Sequence, residues 1–433
     1  MSTALSPYIH REVPLEFAGR RLTFATSLEL FSSHQVDVGT RLLLRTLEPV
    51  LLDRGARGAE GARVLDLGCG YGPLGVALAA APGVASAHLV DRDALALDFA
   101  RENARHNHVE ERVAVTASLG LDDVPGDPGY DLVVSNVPGR AGDAVIASML
   151  TGALRVLRPG GLVAVVVIEP IRELVATTLA GADLRDHVEV TLRHDTADYS
   201  VFHFRRLPDR AAPASFPAPA DAFAAGTYDR GTLIFEDARG ETVSISTVHG
   251  LPGYDRPDPL EIAVTRRLPE VRREMRVLVS NVGQGYLAAY LLRAQSGQPP
   301  GAGFVLVDRD LLALRTARRA LIALGCPADR IETRHVGAWT GDSIGTGNIE
   351  EAGAGAGAAS ADLVAGVLHE GGGAAAVEGE YAGLLAALAP GGHAVLAGSS
   401  TAITRVTAHA LPAGMHASRT RHRGASVLVV ARG

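Results

Sequence analysis

Apolar and polar positions alternate along this chain between short apolar runs and longer stretches of helical period. Residues 63–67 (RVLDL) form an apolar run that ends in a glycine-rich turn, and a helical segment follows from Pro73 to Ala81. A second run, Ala87 to Val90, ends at Asp91 and leads into a helical stretch from Ala94 to His106. Val113 to Thr116, Tyr130 to Ser135 and Leu162 to Ile168 are further strands by the same pattern. A helix ending near Leu157 and the turn Pro159-Gly160-Gly161 separate the last two. Strands alternating with helices predict an α/β fold, a mostly parallel sheet with helices on both faces. Right-handed crossovers then gather the strand C-termini on one edge, where doubly wound sheets bind their ligands.

The whole pattern occurs twice. RVLVSNVGQGYLAAYLL at 276–292 aligns with RVLDLGCGYGPLGVALA at 63–79, and VLVDRDLLALRTARRAL at 305–321 with HLVDRDALALDFARENA at 88–104. DLVAG at 362–366 matches DLVVS at 131–135, and APGGHAVLAG at 389–398 matches RPGGLVAVVV at 158–167. Even the lead-in recurs, GRRLTFAT at 19–26 against GETVSIST at 240–247. Four blocks in one order, plus the lead-in, make this an internal duplication. The expectation is two tandem Rossmann-like doubly wound domains, residues 1–207 and 227–433. The Pro/Ala-rich stretch 208–226 joins them as an extended linker. A Gly/Ala-rich segment, Gly341 to Ala359, is expected to be a mobile surface loop.

Composition narrows the class. Of 433 residues, 47% are hydrophobic and 21% charged, which excludes global disorder and permits a large core. Apolar runs are short and interrupted, so no membrane-spanning helix is expected. Met1 to Arg11 lacks an apolar signal core, and Cys69 and Cys326 are the only cysteines, so a cytoplasmic, reduced protein is expected. All 41 basic residues are arginine. Residues 1–210 carry 27 acids against 21 arginines, a net of −6, and residues 211–433 carry 21 against 20, a net of −1. Neither half is basic enough for a general nucleic-acid binder, so an RNA reading needs a local patch. Arg266, Arg267, Arg272, Arg273 and Arg276, then Arg315, Arg318 and Arg319, then Arg419, Arg421 and Arg423 are the candidate clusters, with solvated acid-paired faces as the alternative. His34, His106, His194 and His203 lack metal-ligand spacing, and no metal site is expected.

Three segments carry candidate chemistry. Asp66-Leu67-Gly68-Cys69-Gly70-Tyr71-Gly72 permits a tight turn and close ligand approach, with the next helix's N-terminus aimed at the ligand. Gly70, Gly72 and Gly75 also fit a dinucleotide-binding spacing, so the turn alone leaves nicotinamide, flavin and S-adenosyl ligands open. Asp91, 19 residues after Gly72, lies where a carboxylate accepts both ribose hydroxyl hydrogens. Asp131-Leu-Val-Val-Ser-Asn136-Val137-Pro138-Gly139 puts an Asn and a Pro directly after the fourth strand, facing the same edge.

With these segments, residues 15–206 resemble the class I S-adenosylmethionine-dependent methyltransferases. They are most similar to the small-domain group that includes the rRNA guanine-N2 methyltransferases. Phe31-Ser-Ser-His-Gln-Val-Asp37-Val-Gly39-Thr40 resembles that group's segment ahead of the glycine loop. The resemblance implies that Asp66, Gly68, Cys69, Gly70 and Gly72 surround the methionine part of S-adenosylmethionine and that Asp91, with Arg92 beside it, holds the ribose. It further implies that Ser118 takes the adenine-side position, usually Asp or Asn, and that Asp37 and Thr40 close over the cofactor. Asn136 and the Val137 carbonyl, followed by Pro138, would be the catalytic group, accepting hydrogen bonds from a target amine. The group's usual form is Asn-Pro-Pro-aromatic, so Gly139 stands where an aromatic would stack on a base, a contact worth about 1–3 kcal/mol.

The second copy departs at these positions: Val279 stands for Asp66, Asn281 for Gly68 and Val367 for Asn136, while Gly283, Gly285 and Asp308 persist. It is expected to keep the fold without catalysis. The reading that results is an N-methyltransferase, its leading substrate a guanine exocyclic amine of rRNA gripped through the C-terminal domain. A small-molecule or protein methyltransferase is the alternative, and a non-catalytic cofactor- or RNA-binding module the second.

Overall fold

The apolar runs of the first half become strands of one sheet, and the helical stretches cover its faces. The computed structural model describes residues 5–56, 61–126, 129–208, 222–295, 303–339, 348–351, 360–422 and 424–433. Two compact units divide the chain, residues 9–228 and residues 229–433, the second also taking in the described residues 5–8. These boundaries differ from those read in the sequence. Phe223 N–H donates to Asp122 at 3.2 Å, and its ring lies 6.3 Å from that of Tyr228, which keeps 222–228 with the first unit. At the other end, Tyr8 is buried and its hydroxyl accepts from Trp339 N–H at 3.0 Å. Residues 209–221 of the expected linker lie outside the described residues.

The first unit runs β1 (Arg11–Phe17), β2 (Arg20–Thr26), α1 (Val38–Ala56), β3 (Ala62–Leu67), α2 (Pro73–Ala80), β4 (Val84–Asp91) and α3 (Ala94–His106). It continues with β5 (Val113–Ala117), β6 (Tyr130–Asn136), α4 (Asp143–Val156), β7 (Leu157–Ile168), α5 (Arg172–Ala180), β8 (Val188–Asp195) and β9 (Tyr199–Arg206). Its seven-stranded sheet has the order β5-β4-β3-β6-β7-β9-β8. The first five strands are parallel, and β9 inserts antiparallel between β7 and β8. Chain order reverses between β3 and β6, and that switch point opens the ligand crevice at the strand C-termini. Helix α2 (PLGVALAA) is buried on every side, which its uninterrupted apolar sequence allows. Asp93 caps α3 through Leu95 N–H at 3.0 Å.

The β1–β2 hairpin stands apart from this sheet and is held by α3. Asn103, fully buried, accepts from Ala25 N–H at 2.8 Å and donates to Ala25 carbonyl at 3.0 Å. One turn on, Asn107 does the same for Thr23, at 3.0 and 2.8 Å. Two side-chain amides thus satisfy the free edge of β2, as a further strand would.

The second unit repeats the plan: β10 (Asp229–Glu236), β11 (Thr242–Val248), α6 (Pro259–Thr265), β12 (Val277–Ser280), α7 (Tyr286–Ala294), β13 (Phe304–Asp308) and α8 (Leu311–Ala323). Then come β14 (Ile331–His335), β15 (Asn348–Glu351), β16 (Ala361–Val367), α9 (Ala374–Ala386), β17 (Leu388–Ser399), α10 (Ser400–Val406), β18 (Met415–His422) and β19 (Ala425–Arg432). The sheet order is β15-β14-β13-β12-β16-β17-β19-β18. Both units are therefore Rossmann-like doubly wound α/β sheets, mostly parallel. The extra strand β15 corrects the expectation of a loop over 341–359: residues 348–351 pair antiparallel with β14, whose edge would otherwise leave backbone groups open. The rest of that segment lies outside the described residues. Gln284 replaces the asparagine clasp here, bonding Val248 N–H at 3.0 Å and Val248 carbonyl at 3.1 Å from the turn after β12. Among the described residues, no helix is long and apolar enough to cross a membrane.

Candidate functional site

The glycine turn after β3 is shaped by backbone demands. Gly68, Gly70 and Gly72 have φ of 75°, 55° and 88°, a region side chains disfavour. A Cβ on Gly68 or Gly70 would meet nothing within 4 Å, so open space lies before the turn. Gly68 and Cys69 N–H groups donate to Val90 carbonyl at 2.9 and 3.0 Å, tying the turn to β4. Asp66 sits beneath, 1% exposed, accepting from Gly75 N–H at 2.8 Å. Gly75 has no room to change: a Cβ there would lie 2.7 Å from Leu89 and 2.9 Å from the Asp66 carboxylate. Burial pushes Asp66 up to about 7, against the lowering effect of the Gly75 bond.

At the end of β4, Asp91 accepts from Gly70 N–H at 2.8 Å and from Asp93 N–H at 3.0 Å. Loss of solvation, then the neighbouring Asp93, raises its carboxyl above the ordinary range. Arg92 follows it, partly exposed. Ser118, just past β5, is buried, and its hydroxyl is turned away from the edge: it donates to Gly120 carbonyl at 2.8 Å and accepts from Asp123 N–H at 3.3 Å. The side chain shapes its own turn, and the hydroxyl keeps one further acceptor lone pair.

Asn136 ends β6 and is engaged from the N-terminal side of the unit. Its Nδ2 donates to Asp37 Oδ2 at 2.9 Å and to Thr40 Oγ1 at 3.1 Å. Thr40 N–H donates to the same Asp37 oxygen at 3.1 Å. Asp37 and Thr40, expected over the cofactor, brace Asn136. With Nδ2 committed, Oδ1 is the acceptor end of the amide. Val137 is buried with its N–H on Val166 carbonyl at 3.0 Å, and Pro138 is exposed. Behind them, Ile168 occupies the space beside Gly139, where a Cβ would lie 2.5 Å from Ile168 Cδ1. Any side chain at 139 would displace Ile168.

One residue of this group was missed in the sequence. Tyr199 opens β9, and its hydroxyl donates to Asp37 Oδ1 at 3.2 Å. A Cβ on Gly39 would fall 2.8 Å from the Tyr199 ring, so the glycine of FSSHQVDVGT makes room for that ring. No local motif marks Tyr199; only the antiparallel return of β9 beside β7 brings it to Asp37.

The second unit is closed at the corresponding place. Asn281, left-handed at φ 53°, donates through Nδ2 to Val367 carbonyl at 2.6 Å and to the buried Glu380 at 2.7 Å. A side chain therefore stands at the position where Gly68 has none. Asp258 and Glu261, at the positions of Asp37 and Thr40, cap α6 reciprocally instead. Asp308 keeps the strand-end position, accepting from Asp310 N–H at 2.9 Å and Gly283 N–H at 3.4 Å. Several of the arginines considered for RNA are committed within the unit: Arg319 to Asp229 at 2.7 Å, Arg276 to Glu332 at 2.9 Å, and Arg419 to Thr404 at 2.8 Å. Arg423 lies outside the described residues.

The first unit combines a seven-stranded sheet with one antiparallel return, a glycine turn after its first parallel strand and an Asn-Val-Pro segment at the end of its fourth, and it resembles a methyltransferase small domain. Residues 21–195 match the family model of that description. Among relatives, the ribosomal RNA small subunit methyltransferase C of Hahella chejuensis is 37% identical over 136 residues, 30% of this chain and 36% of that protein. The ribosomal RNA large subunit methyltransferase G of Streptomyces coelicolor is likewise 37% identical over 136 residues, 30% of this chain and 34% of its own. The matched region thus spans about a third of either relative's length. Among solved structures, the T. thermophilus 16S rRNA N2 G1207 methyltransferase, in complex with AdoMet and guanosine, superposes over 100% of both chains with a TM-score of 0.62 at 19% identity. That likeness establishes the two-unit fold.

Proposed function

We propose that the first unit is an S-adenosylmethionine-dependent N-methyltransferase acting on a guanine exocyclic amine of rRNA, and that the second unit grips the RNA without catalysis. The observation that carries the reading is the fixed amide of Asn136, whose Oδ1 is left as an acceptor at the edge where the glycine turn opens. The site suits the cofactor: open space before Gly68 and Gly70, the Asp91 carboxylate for a ribose, and the Asp66 carboxylate below the turn. Bound there, the cofactor supplies a methyl group already activated by a sulfonium. Asn136 Oδ1 and the Val137 carbonyl accept the amine's hydrogens and direct its lone pair along the line of transfer. Such alignment is worth about 7–11 kcal/mol, so no strong general base is required. The near-neutral second half, with Arg267 and Arg273 exposed, supports RNA contact there rather than on the more acidic first half.

Incubation of the protein and labelled S-adenosylmethionine with ribosomal subunits, naked rRNA and a metabolite extract tests the substrate. Label on guanine N2 of rRNA is expected, and Asn136→Ala should abolish it while cofactor binding by calorimetry persists. Unchanged turnover in that variant would remove Asn136 from the mechanism. A second reading, methyl transfer to a small molecule or protein side chain, is favoured by Ile168 closing the space where the family's aromatic would stack; label confined to the extract would establish it.

A further inference from the structure

We infer that Tyr199 is a positioning residue for methyl transfer, acting through Asp37 to set which end of the Asn136 amide faces the target amine; this rests on the methyltransferase reading of the same site. An asparagine amide presents a donor and an acceptor at nearly equal distance, and only the acceptor can hold an amine's hydrogens. A wrongly turned amide would aim N–H groups at the nucleophile. The choice is made by Asp37, which takes the Asn136 Nδ2 hydrogen at 2.9 Å. Asp37 must itself be held. Thr40 N–H holds Oδ2 at 3.1 Å, and the Tyr199 hydroxyl holds Oδ1 at 3.2 Å. The two anchors come from opposite ends of the unit, α1 and β9, and they fix the plane of the carboxylate.

The approach of the ring is built into the backbone. At Gly39 a Cβ would stand 2.8 Å from the Tyr199 ring and 2.8 Å from Asp37 Oδ2, so the turn entering α1 has no side chain where Tyr199 and Asp37 meet. Tyr199 belongs to a strand pair, β8–β9, that carries none of the glycine-turn or Asn-Val-Pro chemistry. Its hydroxyl reaches the carboxylate at a sequence separation of 162 residues.

The test is Tyr199→Phe, which keeps the ring and removes the hydroxyl. The chain has five asparagines, Asn103, Asn107, Asn136, Asn281 and Asn348, so selective 15N labelling resolves their side-chain amides, with Asn136→Ala assigning its own. In Tyr199→Phe the Asn136 amide protons should exchange about tenfold faster, and kcat should fall about tenfold, the scale of one hydrogen bond to a charged group. The S-adenosylmethionine Kd and the melting temperature should stay unchanged. Asp37→Asn should show the same loss, with no further loss when Tyr199→Phe is added, because both act through one chain of bonds. Unchanged Asn136 exchange in Tyr199→Phe, or losses that add in the double variant, would overturn the inference. A parent protein that methylates nothing, yet whose Asn136 amide loses protection in Tyr199→Phe, would overturn the functional reading and leave the positioning intact.

Discussion

Asn103 clasps Ala25 from 78 residues away, accepting from its N–H at 2.8 Å and donating to its carbonyl at 3.0 Å. The same Nδ2 also donates to the carbonyl of Tyr71, inside the glycine turn, at 2.8 Å. One fully buried amide therefore ties the N-terminal hairpin to the candidate cofactor turn.

Asn103→Ala should destabilise the first unit by about 3 kcal/mol, because it strands a buried N–H and two carbonyls without partners. Urea denaturation measures this directly. Asn107→Ala, at a part-buried position with two bonds to Thr23, should cost about 1 kcal/mol. Equal losses at the two positions would show that burial does not set the scale.

Gly68→Asn should transplant the closure seen in the second unit. Asparagine accepts the left-handed backbone at φ 75°, as Asn281 does at φ 53°, so the fold should persist. The new side chain enters the space before the turn, and S-adenosylmethionine affinity should drop by roughly 100-fold or more, the loss expected when about 3 kcal/mol of contact is displaced. Calorimetry reads the affinity and a thermal melt the fold.

Asp66 ties stability to pH. Burial raises its carboxyl from 3.8 to about 7, so between those values the folded state holds a proton that the unfolded chain has released. Its contribution is therefore fully present at low pH and is lost as pH rises towards about 7, by on the order of 2–4 kcal/mol. Asp66→Asn keeps an acceptor for Gly75 N–H and removes that slope. The difference in unfolding free energy between parent and variant, measured from pH 4 to pH 8, should grow in the variant's favour as pH rises. A flat difference would mean that Asp66 titrates normally when folded.

Much of the architecture was legible in the linear sequence. Short apolar runs and helical stretches marked the strands and helices, since the central parallel strands are buried on both faces and most of the helices on one, and the repeated blocks exposed the duplication. The turn at 68–72 was legible because left-handed backbone selects glycine, and Asn136 because it stands at the C-terminal end of the fourth parallel strand. Other features had no local signature. Thr40 and Asp37 were expected near the cofactor, and the tertiary structure adds a role that no local pattern marks, their hydrogen bonds to Asn136. The bonds by which the Ser118 hydroxyl ties its own turn to Gly120 and Asp123 were equally invisible in the sequence.

What the sequence determined alone is what one segment's backbone and burial demand: the elements, the glycine turn, the doubly wound class and the loss of motif in the second copy. What only the tertiary structure decided is which distant groups share a hydrogen bond. Tyr199 meets Asp37 because β9 returns antiparallel beside β7. Asn103 meets Ala25 because α3 packs along the hairpin's edge. Asn281 meets Glu380 because the helix after β16 packs beside the turn after β12. Each is a pairing of buried or part-buried polar groups across the fold, and their partners are fixed by the need to satisfy such groups where water is largely excluded.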